Sequence, residues 1–252
     1  LSGIPAVIES DLPNYSSMHF LLTNDDGIDA LGLAALEHAI RLLPGATITV
    51  FAPAVEQSQY GHRVTTREQF SVTQQAERRY SVEGTPADCV RVALYAFAIR
   101  PDFVISGVNA GGNMGQDLHI SGTVAAAREA AFHGLPSAAF SHYLIRDLAL
   151  DWPRAAEWTR GILPELLAQP LGDGEFWNVN YPHFPAGRIE MPGRIPCHPC
   201  RAPLNVSYET TRLGQSVTGH RYTASYAARP VEEDSDVAVC FGGQIAVSRL
   251  RI

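Results

Sequence analysis

Between residues 18 and 141 short apolar runs alternate with amphipathic helices, and no other property of the chain restricts its fold so tightly. "HFLLT" (19–23) reads as a buried strand. In "LAALEHAIRLL" (33–43) Leu33, Leu36, Ile40 and Leu43 share one helical face, while Glu37, His38 and Arg41 fall elsewhere. Asp29 is placed to cap that helix, and "PG" at 44–45 closes it. "ATITVFA" (46–52) is a second strand, and 70–84 reads as a short polar-edged strand pair. "TPADCVRVALYAFA" (85–98) opens with a cap at Thr85, proline at the first helical position and Asp88 at the third. "DFVIS" (102–106), "TVAAAREAAFH" (123–133) and "SAAFS" (137–141) continue as strand, helix, strand. This order predicts an α/β fold: a Rossmann-like, doubly wound, mostly parallel sheet with right-handed connections. Ligands in such sheets bind beyond the carboxyl ends of the strands.

From residue 151 the pattern loosens. "WPRAAEWTRGILPELLA" (152–168) predicts a helix bent or broken at Pro164, and "FWNVNYP" (176–182) a strand. Residues 183–236 are rich in Pro, Arg, Tyr and Thr, and 237–252 reads as a hairpin turning at Gly242–Gly243. The expected organisation is an extension without stable order over 1–17, a core over 18–182, and a β-rich arm over 183–252 that serves assembly.

The formal net charge of −7 argues against gripping a nucleic-acid duplex, which calls for a basic face. An acidic chain still binds a small anion when a metal supplies the positive charge. No apolar run approaches the ~18 residues that span a bilayer, and the first seventeen residues lack the basic start of a secretory signal. Four cysteines in 252 residues suggest a reducing, cytoplasmic setting rather than a disulfide framework. Cys197 and Cys200 form a C-x-x-C without the second pair a four-cysteine zinc site needs, and read as two loop thiols.

Three loops follow three predicted strands and therefore converge on one sheet edge: "NDDG" (24–27), "APAVEQSQYGH" (52–62) and "SGVNAGGNMG" (106–115). An Asp-Gly pair alone is a common turn. If Gly27 bends the backbone so that Asp25 and Asp26 face one ion, they supply two hard oxygen ligands, suited to Mg²⁺ or Mn²⁺ over zinc. The glycines of the third loop let N–H groups turn inward around phosphate, although such a loop alone is also ordinary surface. "SGTVAAAREA" (121–130) opens a helix with small hydroxyl residues, which act as a cap or as an anion seat.

These strings together, "LLTNDDGI", "GTPADCV", "SGVNAGGNMG" and "SGTVAAAREA" in that order, resemble the survival protein E (SurE) nucleotidases. The resemblance runs from Met18 to about Ser141 and resumes at "NVNYP" and "DSDVAVCFGGQIAVS". It implies a metal-dependent phosphomonoesterase acting on nucleoside 5′- and 3′-monophosphates, and on short polyphosphate in some members. It implies Mg²⁺ or Mn²⁺ held by Asp25, Asp26, Ser58 and Asn109, phosphate held by Asn113, Ser121, Gly122 and Thr123, and catalytic roles for Asp25, Asp26 and Asn113. It also implies a homodimer or homotetramer built through the C-terminal arm. The chain departs from the family pattern at Ala54, Gln59, Ile120 and Ala130, none of them a proposed ligand. His62 and His119 lie in the right loops to protonate a leaving alkoxide. A non-catalytic nucleotide-binding module and a metal-dependent glycosyltransferase are the rival readings. Paired acids without a cation repel phosphate, which counts against the first.

Overall fold

The computed structural model describes residues 17–187 and 190–252, so the predicted extension lies outside the described residues except for Ser17. The elements are β1 (His19–Thr23), α1 (Leu31–Arg41), β2 (Thr47–Pro53), β3 (Val72–Ala76), β4 (Arg79–Val82), α2 (Pro86–Arg91), β5 (Phe103–Ala110), α3 (Gly122–Phe132), β6 (Ser137–His142), α4 (Trp152–Leu167), β7 (Glu175–Tyr181), β8 (Arg194–Pro196), β9 (Tyr208–Arg212), β10 (Thr218–Tyr222), α5 (Asp236–Phe241) and β11 (Ile245–Arg251).

Nine strands form one sheet in the order β3-β4-β2-β1-β5-β6-β7-β11-β8. From β4 to β7 every pairing is parallel, while β3 and β11 run antiparallel to β4 and β7. The sheet is thus α/β and mostly parallel, as the alternation of elements predicts. From β1 the chain first winds through β2 to β4, then returns to β5 and proceeds through β6 to β7. The order reverses between β1 and β5, which opens a crevice at their carboxyl ends.

Alternate residues of each strand serve opposite faces. Phe20, Leu22 and Ile105 join Leu33, Leu36 and Ile40 of α1 and Trp158, Ile162 and Leu166 of α4 in the larger core. Leu21, Phe51 and Val104 face Cys89 and Val90 of α2 and Ala126 and Ala130 of α3 on the other side. At ~25 cal/mol per Å² of apolar surface these layers supply the dominant stabilising term.

Several expectations are corrected. Helix α1 starts earlier, at Leu31, and its N-cap is Ala30 without a side-chain bond rather than Asp29. The turn before it is held by Gly27, whose carbonyl accepts from Asn24 Nδ2 and from the Ala30 N–H. The capping box of α2 forms as read, with Thr85 and Asp88 bonding reciprocally, but the helix widens into a π-helical turn over Val92–Ala96. Strand β5 runs on through Gly107 to Ala110, because Asn109 and Ala110 still pair with Ser141 and His142. Pro164 leaves α4 unbroken.

The expected C-terminal hairpin is instead helix α5 followed by strand β11. Ser235 caps α5 by accepting from the Ala238 N–H, and Val237 and Cys240 pack inward. Gly243 then turns the chain at φ +80°. Residues 183–252 do not all stand apart from the core sheet, since β11 and β8 complete it. Only β9 and β10 form a separate two-stranded ribbon.

Candidate functional site

Asp25 and Asp26 follow β1 directly, at the switch point. The Asp25 carboxylate is buried and accepts from the Thr123 hydroxyl at the start of α3. The Asp26 Oδ2 accepts from the Ala110 N–H at 3.0 Å. The Asp25 carboxylate also receives main-chain N–H groups of Asp25 and Thr123, whereas for Asp26 the Ala110 N–H is the bond to its carboxylate. Burial pushes the Asp25 carboxyl up to about 6, opposed by the Thr123 bond and reinforced by the charge on Asp26. Asp26 is raised as well, first by burial, with the Ala110 N–H opposing and Glu56 adding repulsion. A cation between these acids would relieve both effects.

The second loop reaches the same place because the Gln57 N–H donates to the Asp25 carbonyl at 2.7 Å. Ser58 faces the cavity, and its hydroxyl donates to Glu56 at 2.6 Å. Asn109 stands near the end of β5 and donates Nδ2 to the Gly111 carbonyl at 2.8 Å, which leaves Oδ1 as the unengaged end of its amide. Two carboxylates, an amide oxygen and a hydroxyl make an all-oxygen donor set, suited to a hard divalent ion. No group of three His, Cys, Asp or Glu residues with metal-binding geometry occurs among the described residues.

Helix α3 begins against these acids. Ser121 is its N-cap, accepting from the Val124 N–H at 3.1 Å. A Cβ at Gly122 would meet Asp25 Cβ at 2.8 Å and Asp25 Oδ2 at 3.0 Å, so glycine is required by close approach. The Thr123 hydroxyl is spent on Asp25, and its side chain positions that carboxylate rather than offering a donor to phosphate. The Val124 and Ala125 N–H groups are engaged by Ser121. The Thr123 N–H also serves the Asp25 carboxylate, so the Gly122 N–H is the open donor of this first turn, where the helix dipole favours an anion.

Asn113 is buried, and its Nδ2 donates to Ser141 Oγ at 2.8 Å. Its main chain is held by β7: Asn180 Oδ1 accepts from the Asn113 N–H at 2.8 Å, and Asn178 and Asn180 each donate to its carbonyl at 3.0 Å. The alternation in "NVN" signals that 178 and 180 share one strand face, but not what they hold. Further along the loop Asp117 receives both nitrogens of Arg229 at 2.6 and 3.1 Å, and Tyr226 Oη lies 2.9 Å away. Asp236 accepts from the Gly115 N–H at 2.8 Å. No local sequence signal marks Asp236, Tyr226 or Arg229, since each acts on a loop more than a hundred residues earlier.

His62 does not serve the site as a free acid. Its Nε2 donates to Glu129, which also receives Arg91 and His133. His119 is exposed, as is Ile120 at the rim of the cavity. Cys197 and Cys200 are free thiols, as are Cys89 and Cys240.

The cavity measures about 720 Å³ and joins Asp25, Ser58, Asn109, Asn113 and Ser121 to residues of the arm. That volume lies within the ~300–1,000 Å³ common for small-molecule sites.

Residues 20–200 match the family model described as survival protein SurE. A protein of Nostoc sp., provisionally named a 5′-nucleotidase, is 44% identical over 235 residues, covering 93% of this chain and all of that one. The 5′-nucleotidase SurE of Cereibacter sphaeroides is 36% identical over 248 residues, covering 93% and 94%. The crystal structure of the SurE protein from Aquifex aeolicus superposes with a TM-score of 0.80 at 28% identity, covering 92% of this chain and 93% of that one. With a matched model across most of its length, relatives aligned over 93% of it and a solved structure that superposes along most of both chains, this chain belongs to the survival protein SurE family.

Proposed function

We propose that the chain is a divalent-metal-dependent phosphomonoesterase that hydrolyses nucleoside 5′-monophosphates, and 3′-monophosphates and short polyphosphate with them. The reading rests on the family, whose relatives carry the name 5′-nucleotidase. The observation that supports it is that Asp25, Ser58 and Asn109 line one cavity beside the start of α3, with Asp26 bonded to the Ala110 N–H next to Asn109.

Asp25, Asp26, Ser58 and Asn109 are the proposed ligands. Bound there, Mg²⁺ or Mn²⁺ offsets the two carboxylates, polarises a phosphoryl oxygen and acidifies a water. Thr123 fixes the Asp25 carboxylate, and the Ala110 N–H fixes Asp26. Asn113 holds the phosphoryl group from the side, with Ser121 and the Gly122 N–H at the helix start, while Thr123 serves through its hold on Asp25. Attack by water is then in line, and a nucleoside leaves. The arm supports assembly into a homodimer or homotetramer, and four free thiols fit a reducing cytoplasm.

The test is phosphate release from AMP, 3′-AMP and tripolyphosphate with Mn²⁺ or Mg²⁺ against EDTA. Metal-dependent release from AMP is expected. AMP binding without turnover under any divalent salt would favour the nucleotide-binding module.

A further inference from the structure

The cavity lined by Asp25, Asn113 and Ser121 is also lined by Asn205, Tyr208 and Tyr222. Tyr208 and Tyr222 are register partners across the β9–β10 ribbon, with ring centroids 5.6 Å apart and planes at 77°. They are 59% and 54% exposed, and neither hydroxyl has a hydrogen-bond partner among the described residues.

Tyr226 makes the contrast. The Arg229 guanidinium covers its ring at 4.4 Å, Tyr143 stacks on it at 5.9 Å, and its hydroxyl is shared between Asp117 and the Gly112 carbonyl. Tyr226 is thus a fastener that fixes the arm against the Gly-rich loop. Tyr208 and Tyr222 carry no such load. Their rings line the cavity edge to face and uncharged, and either face is a surface on which a planar heterocycle stacks.

We propose that Tyr208 and Tyr222 are the seat for the base of the nucleoside leaving group, with the Asn205 amide beside it. The seat deepens the nucleotidase reading and rests on it for the identity of the substrate. It selects planar aromatic leaving groups and gives nothing to a sugar phosphate that lacks a base. It reads no hydrogen-bond pattern through the rings themselves, so purines and pyrimidines differ in it only by stacking area.

Initial rates on AMP and on ribose 5-phosphate, with Mn²⁺ present, test the proposal in the full chain and in Tyr208→Ala, Tyr222→Ala and Tyr222→Phe. The alanine variants raise KM for AMP about tenfold, the 1.4 kcal/mol equivalent of one stacked base. KM for ribose 5-phosphate and kcat for both substrates stay within twofold, and Tyr222→Phe behaves as wild type. Equal changes on the two substrates, or none on AMP, overturn the seat. Adenosine binding, measured by titration calorimetry without metal, gives a second reading that needs no turnover. Adenosine binds the wild type and weakens about tenfold in either alanine variant, and unchanged affinity overturns the seat. A wild type that hydrolyses neither ester defeats the nucleotidase reading alone, since adenosine binding still decides the seat.

Discussion

The side-chain amide of Asn180 grips both polar atoms of the Asn113 main chain, accepting from its N–H at 2.8 Å and donating to its carbonyl at 3.0 Å. The two residues lie 67 positions apart, and both are buried. A glycine-rich loop would otherwise be the softest part of the site, and this bond pair fixes the residue proposed to hold phosphate.

Asn180→Ala removes both bonds and leaves the buried Asn113 N–H unsatisfied, while Asn178 still donates to the carbonyl. Expected are a loss of about 2–3 kcal/mol in denaturant unfolding and a fall in kcat of roughly tenfold to a hundredfold from misplacement of Asn113. Stability lost with kcat unchanged would limit Asn180 to a structural part.

Asp25→Asn and Asp26→Asn each keep the shape and remove a proposed ligand charge. Activity on AMP should fall at least a thousandfold, about 4 kcal/mol, while the unfolding midpoint holds or rises because repulsion between neighbours is gone. Metal-dependent turnover retained in both variants would remove these residues from the reaction.

Gly122→Ala tests the close approach of α3 to Asp25. The added Cβ would lie 2.8 Å from Asp25 Cβ and 3.2 Å from Pro86 Cγ, with no flexible side-chain end to give way. A cost of about 1–3 kcal/mol is expected, together with activity lost beyond what the stability change explains. Wild-type kinetics would mean that the helix start shifts without consequence.

Glu129 should leave a mark on acid unfolding. Burial alone would raise its pKa, but bonds from His62, Arg91 and His133 outweigh that and hold it at about 2. A depressed carboxyl contributes stability above its ordinary value near 4.5, lost as pH falls toward 2. The window is therefore pH 4.5 to 2, and the shift amounts to about 3 kcal/mol. Unfolding free energies at several pH values should show this slope in the wild type and lack it in Glu129→Gln.

Much of this was legible in the sequence because each signal was local. The apolar face of α1 and the capping box of α2 depend only on residues a few positions apart, and both form as read. Asp25, Asn109 and Asn113 were nominated by loops that parallel topology must bring together. The failures are of another kind. The start of α1 is set by the Gly27 turn rather than by a polar side chain, and Gly107 sits inside a strand because β6 pairs beyond it. The clamps on the Gly-rich loop come from Asn180, Tyr226, Arg229 and Asp236, whose partners are fixed only once the sheet closes. The apolar run at 237–241 reads as the first arm of a hairpin, and the Ser235 cap makes it a helix instead.

Strand β11 lies between β7 and β8 although every other described element precedes it in the chain. On a translating ribosome β7 therefore emerges with a bare edge and waits for about 60 more residues, some 3–12 s at ~5–20 residues per second. An unpaired edge of that kind is open to a neighbouring nascent chain. Asn178 and Asn180 stand on that strand, so the loop at Asn113 is held by a strand whose outer edge is closed last.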